Sequence, residues 1–192
     1  NVILVNGEPV QPQQEMVILA VYKPEGIVCT TAEHKGEHNI VNLVNYPKRV
    51  YPIGRLDKAS EGLILMTNYG EIADKILRGS NYHEKEYLVT VNRPVTLEFI
   101  REMSHGVPIL DTVTRPCTVT KTGKNSFRII LTQGLNRQIR RMCEYFGYRV
   151  VTLKRVRIMN LNIDGKEEGE YREITPTERK KLDEMLSTGR SQ

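Results

Sequence analysis

The stretch Val50 to Asn68, VYPIGRLDKASEGLILMTN, constrains the fold more than any other part of the chain. A hydrophobic approach reaches Gly54, an Arg-Leu-Asp-Lys segment follows, and after Gly62 the chain runs apolar to Thr67. That pattern predicts two buried strands joined by a glycine-flanked turn that carries Asp57. A carboxylate beside apolar chain must be paired or hydrogen-bonded to stay ionised. Asp57 and Ser60 could cap the turn, the ordinary use of a lone Asp in such a segment. A charged cluster wedged between two buried strands equally suggests a site, and spacing alone leaves both readings open.

The remaining elements follow from periodicity. Residues 1–15 combine a short apolar strand, an Asn-Gly turn and a polar Pro-containing linker. Met16 to Lys23 reads as a buried strand stopped by Pro24 and Gly26, and Thr31 to Asn39 as a polar surface loop. Ile40 to Asn45 suits one helical turn, Tyr51 to Ile53 a strand leading to Arg55 and Asp57, and Gly62 to Thr67 the return strand. A helix is expected near Glu71 to Arg78, with Ile72, Ile76 and Leu77 inward. Glu86 to Val91 alternates as a strand, and Thr96 caps a helix running to Met103. Val107 to Leu110, Cys117 to Lys121 and Phe127 to Leu131 read as strands. Leu135 to Phe146 is amphipathic, with Ile139, Met142, Cys143 and Phe146 on one face and Arg137, Arg140, Arg141 and Glu144 on the other. Arg149 to Ile158 is a cation-studded strand, Met159 to Ile163 extends it past a bend, and Thr175 with Pro176 opens a closing helix to Leu186. Strands outnumber helices and hairpin turns recur, which predicts an α+β fold with a mostly antiparallel sheet.

Composition narrows the function. With 192 residues, 39% hydrophobic and 27% charged, the chain can build one substantial core or two small ones sharing a sheet. No apolar run approaches the ~20 residues of a membrane span, and no signal peptide is visible. Residue 1 is Asn, so the expectation is part of a longer product. Cys29, Cys117 and Cys143 lack a CxxC pair and suit buried thiols in a reducing, cytoplasmic setting. His34 and His38 are the one close histidine pair, without other nearby ligands, so no metal is expected. The net charge is +5, yet residues 134–157 hold seven basic residues against Glu144, leaving the rest at −1. A near-neutral body with one basic block is the footprint of a protein that grips phosphates.

Three segments carry a resemblance. GRLDKASEGLILMTNYG, HEKEYLVTV and GLNRQIRRMCEYFGY, in that order, resemble the ribosomal-RNA pseudouridine synthases of type A, for the small ribosomal subunit, and of types B, E and F, for the large one. The third segment stands nearest the F branch, and KPEGIV resembles the family's opening strand and turn. The likeness spans roughly residues 16 to 175, and three ordered motifs are far more specific than one. It implies a mixed antiparallel sheet with flanking helices and a central catalytic cleft in residues 16–192. Residues 1–15 then resemble the tail and exit linker of a largely absent S4-type RNA-binding domain.

The resemblance also implies a chemistry. Uridine becomes pseudouridine when the N1–C1′ bond breaks, the base rotates and C5 bonds to C1′. No redox change or outside group is involved, so no cofactor is expected. Asp57 would initiate the reaction at C1′ or C2′, with Arg140 as its ion-pair partner and Tyr87 against the target base. A guanidinium within ~4 to 6 Å lowers a carboxylate pKa by about 1 to 3 units. Arg55 would steady the RNA when the base is extruded, or else pair with Glu61 or Glu84. Asn136, Arg137, Gln138, Arg141 and Arg155 would contact RNA, mainly at phosphates and 2′-hydroxyls. The partner would be large-subunit (23S) ribosomal RNA, with a transfer RNA open as a second target and the enzyme a monomer. A non-catalytic RNA-binding or ribosome-assembly module is the main alternative. A glycoside-cleaving enzyme would need a second facing carboxylate, for which Glu61 is the near candidate.

Overall fold

The computed structural model describes residues 3–5, 8–10, 15–30 and 38–188. Residues 31–37 of the surface loop expected at Thr31 to Asn39 lie outside them, as does the Asn-Gly turn at residues 6 and 7. A two-stranded hairpin, β1 (Ile3–Val5) and β2 (Glu8–Val10), precedes the body. β3 (Ile18–Lys23) is buried at every position, which explains its unbroken apolar run. α1 (Ile40–Val44) is capped by the Asn39 side chain, which accepts the Asn42 N–H. β4 (Tyr51–Ile53) and β5 (Glu61–Thr67) pair antiparallel and hold the Asp57 turn between them. α2 (Gly70–Ser80) buries Ile72, Ala73 and Ile76, but Leu77 is exposed, because its neighbour Ile76 already occupies the inward stripe.

β6 (Lys85–Val91) leads to α3 (Leu97–His105), where Thr96 Oγ1 accepts the Phe99 N–H at 3.0 Å as the expected N-cap. The strand expected at Val107 to Leu110 shrinks to β7 (Pro108–Ile109), since Leu110 and Asp111 both take positive φ to turn into β8 (Thr112–Val113). β9 (Thr118–Gly123) and β10 (Ser126–Leu131) form the next hairpin. α4 (Gln138–Tyr145) starts three residues later than periodicity suggests. β11 (Val150–Ile158) is followed by β12 (Leu161–Asn162), which folds back antiparallel on it after Met159 takes φ 53°, instead of extending it. β13 (Tyr171–Glu173) and α5 (Pro176–Thr188) close the chain. Thr175 Oγ1 accepts the Glu178 N–H at 3.1 Å while Glu178 Oε1 accepts the Thr175 N–H at 2.8 Å, a reciprocal cap.

The main sheet runs β13-β3-β5-β11-β6-β10-β9, with β4 beside β5 and β12 beside β11. Every pairing in it is antiparallel except β5 with β11 at the centre. The α+β reading therefore holds. On the β3–β5 half both faces are covered: Leu63 and Leu65 pack with α2 and α5, while Leu19, Ile64 and Met66 pack with α1. On the other half Val89, Phe127 and Ile129 pack under α3 and α4. The parallel seam joins these halves, and the candidate site opens over it.

Candidate active site

Asp57 sits where the β4–β5 turn meets that seam. Its carbonyl accepts the Ser60 N–H at 2.9 Å, so the expected turn is present in the backbone. The carboxylate faces elsewhere. Its Oδ2 lies 3.3 Å from Arg137 Nη1, which donates to it, and 3.7 Å from Arg140 Nε. Arg140 Nη2 donates to Ser60 Oγ at 2.9 Å, which aims the guanidinium at the turn.

The separation from Arg140 Nε permits attraction but is too long for a hydrogen bond. That buried N–H has no acceptor among the described residues. Burial pushes the Arg140 guanidinium below its ordinary range and Arg137 adds to the push, while Asp57 opposes both. The side chain of Asp57 is 39% exposed and that of Arg140 only 11%, so the acid is presented from a buried cation toward open space.

α4 explains how two arginines converge. Arg137 takes φ 48° as the N-cap residue, and this left-handed turn points it back at Asp57. Arg140, one turn into the helix, leans the same way. The sequence reading placed both on an outer helical face. Arg137 precedes the helix, however, so helical phase does not apply to it.

Around Asp57 lies a cavity of about 650 Å³, lined by the turn, α2, β6, the 133–137 segment, α4 and β11. That is room for a nucleobase and its sugar. Six basic side chains line it (Arg55, Arg78, Lys85, Arg137, Arg140, Arg155) against the single carboxylate of Asp57. Tyr87 lines it from β6, opposite Arg155 in register. Arg55 is exposed on the lining and makes neither expected ion pair among the described residues. Glu84 binds Arg157, and Glu61 accepts from Tyr22 outside the cavity, so no second carboxylate among the described residues faces Asp57.

The remaining candidates divide. Asn136 is exposed and is held by Arg141, which donates to its carbonyl and its side-chain oxygen, each at 2.9 Å. Gln138 is buried, accepts the Leu135 N–H at 3.1 Å and donates to Gln133 Oε1 at 3.3 Å. Arg155 is also buried and donates from Nε to the Leu63 carbonyl at 2.8 Å. Both line the cavity, but these bonds shape its wall and floor.

Two lysines escaped sequence reading. Lys23 is fully buried, and its Nζ donates to the carbonyls of Pro24, Ile27 and Lys58, tying the opening turn to the Asp57 turn. Burial pushes its pKa down. Its one visible signal is a Lys ending an apolar run ahead of Pro-Glu-Gly. Lys85 is buried in the cavity and donates to the Ser80 carbonyl at the end of α2. The three cysteines are free; burial raises the Cys117 thiol to about 11 and the Cys143 thiol to about 12, and neither lines the cavity.

Comparisons with known proteins place the chain in a family. The profile of the RNA pseudouridylate synthase family matches residues 17–145, which include the Asp57 turn, Tyr87 and α4. The dual-specificity RNA pseudouridine synthase RluF of Escherichia coli (strain K12) is 53% identical over all of this chain, which covers 67% of that relative. Its counterpart from Salmonella typhi is 56% identical over 93% of the chain and 62% of the relative. The chain thus spans about two thirds of these curated relatives. A crystal structure of a pseudouridylate synthase superposes with a TM-score of 0.80 at 28% identity, covering 91% of this chain and 76% of that one. A matched profile, identity above 50% across nearly the whole chain and a shared fold all point one way: the chain belongs to the RNA pseudouridylate synthase family.

Proposed function

We propose that the protein isomerises a uridine of large-subunit ribosomal RNA to pseudouridine, with Asp57 as the group that starts the reaction. The observation that carries this reading is the Asp57 carboxylate, set between Arg137 and Arg140 at the edge of a cavity otherwise lined by cations. A uridine swung out of its RNA would place its ribose at Asp57 and its base over Tyr87. The two guanidiniums face the acid at 3.3 and 3.7 Å, whether it attacks C1′ or draws a proton from C2′. Arg55, Asn136, Arg137 and Arg141 are the proposed RNA contacts, while Gln138 and Arg155 hold the wall against which the nucleotide rests. No step calls for a metal or nucleotide.

The chemistry supplies its own assay. C5 exchanges its hydrogen for the bond to C1′, so ribosomal RNA labelled with tritium at uridine C5 releases the label as each pseudouridine forms. We expect stoichiometric release from one site in large-subunit RNA without added metal or nucleotide. Transfer RNA belongs in the same assay, since the RluF relatives are named dual-specificity. Full RNA binding with no release would instead favour the RNA-binding module.

Salt gives a second expected result. Binding should weaken as salt rises, and Arg141→Ala should flatten the log–log slope by roughly 0.7 to 0.9 if it holds one phosphate. A slope equal to that of the wild type would remove Arg141 from the contact surface.

A further inference from the structure

Lys85 has no place in the scheme above, yet it is a cation buried in the cavity lining. It opens β6 with its side chain on the same face as Tyr87 two residues later, and it is 6% exposed. Its register partners are Leu131 on β10 and Ile158 on β11, both buried and both part of the lining. The ammonium lies at the end of α2, beside the Ser80 carbonyl and the Asn81–Gly134 part of the lining, whereas Arg55 and Arg137 stand exposed.

Its surroundings offer little compensation. The hydrogen bond found for Nζ goes to the Ser80 carbonyl, one acceptor for three donors. The charged groups that act on it are both cations, Arg155 on β11 and Arg115 on the segment before β9. Arg155 is itself held to the Leu63 carbonyl, and Arg115 to the carbonyls of Asn81 and Thr132. Tyr87 is the other titratable group that β6 gives the lining; α2 contributes the Ser80 carbonyl and, on the lining, Arg78. Burial first, then Arg155 and Arg115, push the Lys85 ammonium down from 10.5 to about 8.

That arrangement opposes folding. Between pH 8 and 10.5 the unfolded chain holds the Lys85 proton that the folded protein has lost, so stability rises with pH across this window. Below it the fold carries a buried charge with no ion-pair partner among the described residues. Closing off one helix carbonyl does not require a cation, since a neutral donor would serve.

We propose that Lys85 is a further catalytic residue, whose ammonium meets the carbonyl oxygens of the target uracil and stabilises the negative charge that the ring gains as N1 leaves C1′. This rests on the function proposed above. When the N1–C1′ bond breaks, its electron pair goes to N1 and spreads onto O2 and O4. Asp57 supports the ribose side. C5 then bonds to C1′, the C5 proton leaves and N1 takes up a proton. Lys85 donates hydrogen bonds throughout and changes no covalent bond. A phosphate, fully charged before the reaction, would be met by the exposed Arg55 and Arg137, whereas Lys85 is buried on the strand that also carries Tyr87 into the cavity.

The test is single-turnover tritium release by the wild-type protein, Lys85→Gln and Lys85→Arg, over pH values on both sides of 8, with RNA affinity and thermal unfolding measured alongside. The wild-type rate is expected to fall as pH rises through about 8, where the ammonium loses its proton. Lys85→Gln keeps a donor for Ser80 but loses the charge; its rate below that pH should drop about 100-fold, as on loss of an oxyanion-hole donor, without the pH-dependent fall. Lys85→Arg should retain more activity and move the fall to higher pH. RNA affinity should stay near wild type, and the Tm of Lys85→Gln should match or exceed it, since the buried charge is gone. A Lys85→Gln protein with the wild-type rate and pH profile would overturn the proposal, as would a loss matched by weaker RNA binding or a lower Tm. Absence of product from the wild type would instead sink the functional reading itself, before any variant is compared.

Discussion

Asp57→Asn is expected to end pseudouridine formation while leaving the protein folded and able to bind RNA. The amide keeps the size of the carboxylate but can neither attack C1′ nor take a proton, so release of the C5 label should fall by more than about 1,000-fold. The fold should tolerate the change. Asp57 is 39% exposed and its partner Arg137 is 45% exposed, and ion pairs so open to water contribute little to stability. RNA affinity should hold or rise, because the substitution removes the one negative charge from a cavity lined by six cations. Tritium release, thermal unfolding and RNA binding on the same preparation separate these effects. Normal release by the variant would mean that the chemistry resides elsewhere.

The largest effect on stability is expected at Gly62. There the backbone takes φ +113°, and a Cβ would lie 2.1 Å from the Arg155 carbonyl oxygen and 2.7 Å from its nitrogen. Gly62 and Arg155 are register partners in the parallel β5–β11 seam, so the clash falls on backbone that cannot swing aside. Arg155 is also fastened to β5 by its bond to the Leu63 carbonyl. Gly62→Ala should therefore cost about 3 to 5 kcal/mol, the range of a strained φ combined with overpacking. Chemical denaturation should show it as a lower midpoint. Because the seam sets Asp57 against α4, activity should fall further than stability alone explains. An unchanged midpoint would mean that the two halves are not joined as described.

Much of this site was legible in the chain because its chemistry is local. Gly54, Asp57 and Gly62 announce a charged turn between apolar strands, and the resemblance of the downstream segments implied Arg140 and Tyr87. What escaped depended on long-range placement. Arg137 is expected from the sequence only as an RNA contact, and its left-handed φ also makes it the nearer partner of Asp57. Lys23 and Lys85 look like ordinary strand-end lysines, and only the packing of neighbouring strands shows that both are buried. The parallel pairing of β5 with β11, some ninety residues apart, leaves no trace in local periodicity. Leu77 failed for the opposite reason, a local pattern overruled by the width of the buried stripe.

The most direct test is the structure of the protein bound to an RNA that carries its target uridine. The account requires that nucleotide to be turned out of the RNA into the cavity, with its base over Tyr87 and C1′ or C2′ about 3 to 3.5 Å from an Asp57 carboxylate oxygen. A uridine still stacked in its RNA, or seated with its ribose away from Asp57, would contradict it.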